Sequence, residues 1–321
     1  MDVIEGSIFG DRSPISTQNI FDVDQLNEIA IDAGFDCNYT QLDKGRLSAL
    51  SKFVSVNEVW VIREQVDRSL EYWGTHDPEY CCFLLPLSAP RTKIAGVPHS
   101  ANLLWMIPAG YELSIVTGAA IDIITLLVPK RLIEEEYLES ASVSESVLNS
   151  VPSALSVSPH AMNDLSSCLN ACFLGQMDLG ISLHLQEHLL RRLGKIVRTN
   201  WGLKSIKRTR SYSRMESIKK ARAYIKANIH RQISTMELCE VTGFSERTLT
   251  RHFKDCLGMS PRRYSVITRL DAARQSLNSP IAESGIVTNV ALDHGFNHLG
   301  RFSSEFKSQF GILPSLVNNR V

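Results

Sequence analysis

Long apolar runs are missing from this 321-residue chain. No stretch approaches the ~18 uninterrupted apolar residues of a membrane-spanning helix, so no membrane partner is expected. Met1 to Thr17 lacks a basic start followed by an apolar run, so no signal peptide is expected and the reading is cytoplasmic. Cysteine is scarce and odd in number. Cys37, Cys81, Cys82, Cys168, Cys172, Cys239 and Cys256 form no C-x-x-C pair, which points to reduced, mostly buried thiols. Net charge is also absent, since 34 Lys+Arg balance 34 Asp+Glu. That balance conceals a split: residues 191–321 hold 24 bases against 9 acids, and residues 1–190 hold 10 against 25. Such asymmetry fits a polyanion-binding half joined to a half with another task.

What is present is a pattern written twice between residues 233 and 314. Thr242-Gly243-Phe244 is followed by Phe253-Lys254, Gly258 and Pro261; His294-Gly295-Phe296 is followed by Phe306-Lys307, Gly311 and Pro314. Repetition at this length marks duplicated units, each expected to be a helix-turn-helix. In the first copy Ser234 stands three residues before Glu237, a capping box, and Ser245 is placed to cap a second helix. On that second helix Leu249, Phe253 and Leu257 share one face, while Arg247, Arg251 and Lys254 fall roughly opposite. The second copy repeats this with Val290 and Ala291, then Phe302, Phe306 and Phe310. Between the copies, Ser260-Pro261 opens a longer helix carrying Tyr264, Ile267, Leu270, Ala273 and Leu277 as a buried stripe. A bare helical bundle would not need the cationic outer faces.

The stretches GFSERTLTRHFKDCLGMSP, RLDAAR and GFNHLGRFSSEFKSQFGILPS resemble the DNA-binding domain of AraC/XylS-type bacterial transcription regulators, over residues 215–317. The resemblance implies that the second helix of each copy enters one of two successive major grooves of double-stranded DNA. Arg247, Thr250, Arg251 and Lys254 then point outward in the first copy. Aligning Phe253 with Phe306 puts Gly300, Ser303, Ser304 and Lys307 at the corresponding positions, so the first helix is the better-equipped reader. The second helix is expected to anchor to the phosphate backbone through Asn297, His298, Arg301 and Lys307, with Ser304 on its outward face. Glu246 lies in the first turn of its helix, where a carboxylate complements the helix dipole.

The amino-terminal half reads as strands. Leu50–Val56 and Val59–Ile62 meet at Asn57-Glu58, and Leu70–Trp73, Cys81–Leu87, Leu103–Ile107, Leu113–Thr117 and Ile121–Val128 continue the series. Short strands at this spacing suggest a β-sandwich or barrel, and the region resembles the cupin-like sensor half of AraC-type regulators. That resemblance implies a pocket for a small-molecule effector, whose identity the sequence does not give. Trp60, Trp73 and Trp105 could line it or be plain core. Metal is not expected, because cupin metal sites need clustered histidines and this region offers only His76 and His99, each isolated beside a turn. No cofactor is expected.

Residues 140–158 hold eight serines in nineteen positions and read as a flexible linker. Beyond it, Ile181, Leu185, Leu189, Leu193 and Ile196 form a helical stripe, placed either to dimerise, as the family resemblance implies, or to pack on the sheets. The same helix carries His184, Glu187 and His188, which fit H-x-x-E-H, a zinc pattern of inverted metallopeptidases; no third ligand is evident. Residues 191–214 carry nine bases and no acid, and Trp201-Gly202 reads as a helix break.

The expected architecture is α+β. Residues 20–138 form a β-rich effector-sensing domain, 139–158 a Ser-rich linker, 159–199 a helical connector, 200–212 a basic hinge and 213–321 a double helix-turn-helix domain. The expected function is sequence-specific transcription regulation, with activation implied by the family. Expected partners are double-stranded DNA, a small-molecule effector, RNA polymerase and a second copy of the chain. The alternatives are a constitutive architectural DNA-binding protein and the zinc metallopeptidase.

Overall fold

Alternating apolar residues build two antiparallel sheets in the amino-terminal half of the computed structural model, which describes residues 15–32, 34–138, 152–174, 179–200, 208–278 and 286–319. In chain order the elements are β1 (Ser16–Ile20), α1 (Val23–Asp32), β2 (Asp36–Gln41), β3 (Ala49–Val56), β4 (Val59–Val66), β5 (Leu70–Thr75), β6 (Tyr80–Ser88), β7 (Lys93–Ile94), β8 (Val97–Pro98), β9 (Leu103–Ile107), β10 (Leu113–Val116), β11 (Ile121–Pro129), α2 (Lys130–Leu138), β12 (Ser153–Ser156), α3 (Pro159–Ala171) and α4 (Leu179–Asn200). One sheet runs β1-β3-β4-β11-β6-β9-β12 and the other β2-β5-β10-β7-β8. The two face each other as a cupin-like sandwich, not a closed barrel.

The seven-stranded sheet is covered on both faces, which is why its strands read as near-continuous apolar runs. Val59 and Val61 on β4, and Ile124, Leu126 and Val128 on β11, pack with Leu165, Leu189, Leu193 and Ile196 of α3 and α4. Their neighbours Trp60, Ile62 and Leu127 pack inward with Trp105. A strand's side chains alternate between faces, so adjacent residues serve two different cores. The carboxy-terminal half of the α4 stripe therefore packs on the sheet. Its amino-terminal end does not: Leu179, Ile181 and Leu183 are exposed.

The serine-rich segment departs from the expected linker at its end. Residues 139–151 lie outside the described residues, but Ser153–Ser156 is strand β12, paired with β9. Asn200 clamps it, its Oδ1 accepting from Ser156 N at 2.7 Å and its Nδ2 donating to Ser156 O at 2.9 Å. A tertiary partner, invisible in local composition, converts serines into strand. Residues 201–207, which include Trp201-Gly202 and much of the basic hinge, lie outside the described residues.

The carboxy-terminal half is helical: α5 (Arg208–Ala227), α6 (Thr235–Thr242), α7 (Glu246–Leu257), α8 (Pro261–Leu277), α9 (Ile286–Asp293) and α10 (Leu299–Phe310), closed by a 3-10 turn at Pro314–Asn319. Helix α8 belongs to two cores. Its Tyr264 packs with Leu249, Phe253, Ile218 and Ile225. Its Leu270, Ala273 and Leu277 pack with Val290, Phe302, Phe306 and Phe310. Being clasped from both sides, α8 fixes the two copies relative to each other.

The two halves pack together through the five-stranded sheet. Leu70 and Tyr72 of β5 point between the sheets, so Glu71 and Trp73 point outward, onto the helices. Glu71 is fully buried there and accepts a 2.6 Å hydrogen bond from the Tyr264 hydroxyl of α8. The Arg222 guanidinium of α5 lies 4.6 Å above the Trp73 ring. At the far end Gln41 and Gln309 exchange bonds, each side-chain amide donating to the other's backbone carbonyl at 3.0 and 2.9 Å. Arg274, almost fully buried, joins Asp24 of α1 to Asp271 of its own helix.

Candidate nucleic-acid interface and internal cavity

Local chemistry sets both helix-turn-helix units. Ser234 and Glu237 form the capping box that starts α6, and Gly243 ends that helix at φ 74°, a left-handed conformation costly for other residues. Ser245 accepts from Thr248 N to start α7, and Ser260 accepts from Arg263 N to start α8. In the second copy His298 stands where Ser245 caps the first and starts α10 without a side-chain hydrogen bond, directly after the exposed Asn297.

On α7 the apolar row Leu249, Phe253 and Leu257 is buried, and Arg247, Arg251 and Lys254 are exposed on the other side, with Thr250 half-buried. On α10, Phe302, Phe306 and Phe310 are buried, and Gly300, Arg301, Ser304 and Lys307 are exposed. Asn297 and His298 are exposed just before it. Arg301 is partly committed, its Nε donating to Glu305 at 2.9 Å. Asp255, at the end of α7, accepts from Arg214 at 3.3 Å through its side chain and from Lys93 of β7 through its carbonyl.

Sequence reading overlooked Arg262. It is exposed in the first turn of α8 and lines a groove between the two copies with Asn297, His298 and Arg301. Its place directly after Pro261 was the available signal. The two arginines of RLDAAR turn inward instead. Arg269 donates to the carbonyls of His294 and Gly295 at 3.4 and 3.1 Å and lies over Phe296, so it fixes the turn of the second copy.

Between the two sheets lies a cavity of about 80 Å³. None of the three tryptophans lines it: Trp60 and Trp105 are core, and Trp73 faces α5. Its walls are apolar apart from Glu64, Tyr39, Tyr72, His76, Cys82, Thr117 and Thr125. Glu64 sits at the inward parity set by Trp60 and Ile62. Burial pushes its carboxyl up to about 7, only partly offset by a 3.5 Å bond from the Tyr39 hydroxyl. His76 is buried, its Nε2 bonded to the Tyr80 carbonyl at 2.9 Å, and burial lowers its pKa. His99 accepts from Trp105 Nε1 at 3.3 Å.

The H-x-x-E-H motif is a surface hydrogen-bond chain. His184 and His188 meet through their Nε2 atoms at 2.9 Å, Arg192 lies 3.3 Å from His188 Nδ1, and Glu187 pairs with Arg191 at 2.6 Å. Arg192 also donates to the His188 backbone carbonyl at 3.3 Å, so both histidines and both neighbouring charged groups are engaged within the one helix. Among the described residues no group of three or more His, Cys, Asp or Glu is placed to hold a metal ion, and no helix is long and apolar enough to cross a membrane.

Fold and surface together define a double helix-turn-helix protein with a β-sandwich in front. A family model described as a helix-turn-helix domain matches residues 238–320. The XylDLEGF operon transcriptional activator of Pseudomonas putida is 40% identical over 92 residues, which are 29% of this chain and 29% of that protein. A probable AraC family transcriptional regulator from Rhodopseudomonas palustris CGA009 is 32% identical over 32% of this chain and 95% of the solved chain, with a TM-score of 0.31. The AraC-like transcriptional activator CuxR is 14% identical, covering 80% of this chain and 95% of its own, with a TM-score of 0.44. The helix-turn-helix region is similar to that of AraC/XylS-type transcription regulators. The chain spans under a third of the length of the Pseudomonas relative, and the family-model match lies in the carboxy-terminal helices.

Proposed function

We propose that the protein is a sequence-specific DNA-binding transcription regulator, an activator, whose amino-terminal domain binds a small-molecule effector. The observation that carries the DNA-binding part is the pair of helix-turn-helix units clasped by α8, with Arg247, Arg251 and Lys254 exposed on α7 and Lys307 on α10. In this reading α7 and α10 enter adjacent major grooves. Arg251 and Arg247 read base edges, with Thr250 and Lys254 beside them. Asn297, His298, Arg301, Ser304 and Lys307 hold phosphates around the second groove, and Arg262 meets the backbone between.

Effector response is supported by the sheet between the cavity and the helices. Leu70 and Tyr72 line the cavity while Glu71 and Trp73, the alternate residues of the same strand, hold α8 and α5. A ligand that shifts β5 shifts both contacts, and so the population of the two halves able to engage DNA or RNA polymerase. Residues 20–138 serve as the effector-sensing domain, 159–199 as the helical connector and 213–321 as the DNA-binding domain. A homodimer through the exposed Leu179, Ile181 and Leu183 of α4 belongs to the same reading. A constitutive architectural role would leave DNA binding indifferent to anything bound in the cavity.

Fluorescence anisotropy with a selected DNA site tests the DNA-binding claim. Arg251→Ala is expected to weaken the selected site far more than a scrambled one. Equal loss on both would refute base reading by α7.

A further inference from the structure

The cavity's polar groups are arranged for one kind of ligand. Of the residues lining it, Glu64 is the one carboxylate, and no lysine or arginine is among them. Among the described residues its carboxyl receives a single long bond, 3.5 Å from Tyr39, and forms no ion pair. Glu64, Tyr39 and Tyr72 are half-buried and all three line the cavity. The two tyrosine rings meet edge to face with centroids 5.3 Å apart, on strands β2 and β5, opposite the β4 carboxylate. Of the other polar groups, His76 bonds Tyr80, and the Thr117 hydroxyl accepts from Leu70 N at 2.9 Å and donates to Leu70 O.

We propose that the effector is a small amine, its protonated amino group held by Glu64 and the ring faces of Tyr39 and Tyr72 and its apolar body packed against the remaining walls. A buried carboxylate costs free energy unless it is paired, and an ammonium group supplies both the opposite charge and the donors that Glu64 lacks. Aromatic faces add cation–π attraction, strongest when water is excluded. A carboxylate ligand would meet Glu64 with no cation to pair it, and a neutral alcohol would leave most of the carboxylate's acceptor capacity unused. Burial raises the Glu64 carboxyl to about 7, a cost that a cation beside it would offset.

This rests on the effector-binding reading above, and the test separates the two. Isothermal titration of the full chain would use benzylamine and hexylamine, with benzyl alcohol, benzoate and hexanoate as matched probes of shape without the amino group. The amines are expected to bind at millimolar concentration or better, and the acids and the alcohol about tenfold more weakly or worse. Glu64→Gln, close in shape, is expected to lower amine affinity about 10- to 100-fold while leaving benzyl alcohol unchanged, since charged hydrogen bonds carry that much. Tyr72→Leu, which removes a ring face and leaves Glu64 intact, is expected to weaken the amines more than the alcohol. Acid binding as tight as amine binding, amine affinity indifferent to Glu64→Gln, or no amine binding by folded protein would each overturn the proposal. Site-specific DNA binding is measured on the same preparation. DNA recognition without amine binding removes this proposal alone, and amine binding without DNA recognition removes the regulator reading instead.

Discussion

Replacing Tyr264 with Phe removes one oxygen from the contact between the two halves of the molecule. Glu71 is fully buried, its Oε2 bonded to Tyr264 and its Oε1 without a hydrogen-bond partner. Burial raises its carboxyl pKa, while Arg222, the Tyr264 hydroxyl and Lys226 pull it down. Deleting the hydroxyl leaves both oxygens without a donor, at a cost of about 1–3 kcal/mol for a buried group stripped of its partner. Glu71→Gln should be far milder, since its amide still accepts from Tyr264 and removes a buried charge. The cost falls on a contact between two domains, so a single unfolding midpoint is a poor reporter. Native-state hydrogen exchange reads it locally: protection of β5 and α8 is expected to drop about 5- to 150-fold in Tyr264→Phe and little in Glu71→Gln. Unchanged protection in Tyr264→Phe, or an equal loss in Glu71→Gln, would refute the reasoning.

Other expectations follow from the same structure. Glu64 titrates near 7 when folded against 4.5 unfolded, so the folded state binds more protons and stability falls as pH rises from about 4.5 to 7. The loss is on the order of 3 kcal/mol at most; urea midpoints against pH should show it, and Glu64→Gln should flatten that part of the slope. Asp24, raised to about 6 because burial outweighs its pairing with Arg274, adds a slope of the same sign at lower pH that Glu64→Gln leaves in place. Gly311→Ala meets both a φ of 75° and a new Cβ 2.8 Å from Arg46 N, whereas Gly258→Ala meets only φ 74°. Both should lose about 1–2 kcal/mol in denaturation, with a further loss in Gly311→Ala alone. Arg251→Ala should cost about 1–3 kcal/mol on the selected site, while Lys307→Ala should weaken all sequences alike and lower the salt slope by about 1 in anisotropy titrations.

The helical half was legible because its signals are local. Capping serines mark the first copy, left-handed glycines and a period of 3.6 recur in both, and each signal rests on neighbours within four residues. The seven-stranded sheet was legible in its interior, where both faces are apolar. Strand β2, Asp-Cys-Asn-Tyr-Thr-Gln, was not, because its polar residues are satisfied by pairing with β5 and its one large apolar surface, Tyr39, faces a cavity. Strand β12 was hidden in serines for the tertiary reason given above. The cavity's carboxylate could have been found by parity: once Trp60 and Ile62 point inward, so does Glu64. The contact between domains could not, since Glu71 and Tyr264 are 193 residues apart and Gln41 and Gln309 are 268 apart.

The central claim is that α7 and α10 read two adjacent major grooves, with most discrimination under α7. Selection of binding sites from random duplex DNA by the full chain, at two salt concentrations, tests it most directly. The account predicts a motif of two blocks whose centres lie about one helical turn apart, the block contacted by Arg251 the more constrained, and that block relaxing in Arg251→Ala. A motif confined to a single groove, or enrichment of no motif while binding remains tight, would contradict it.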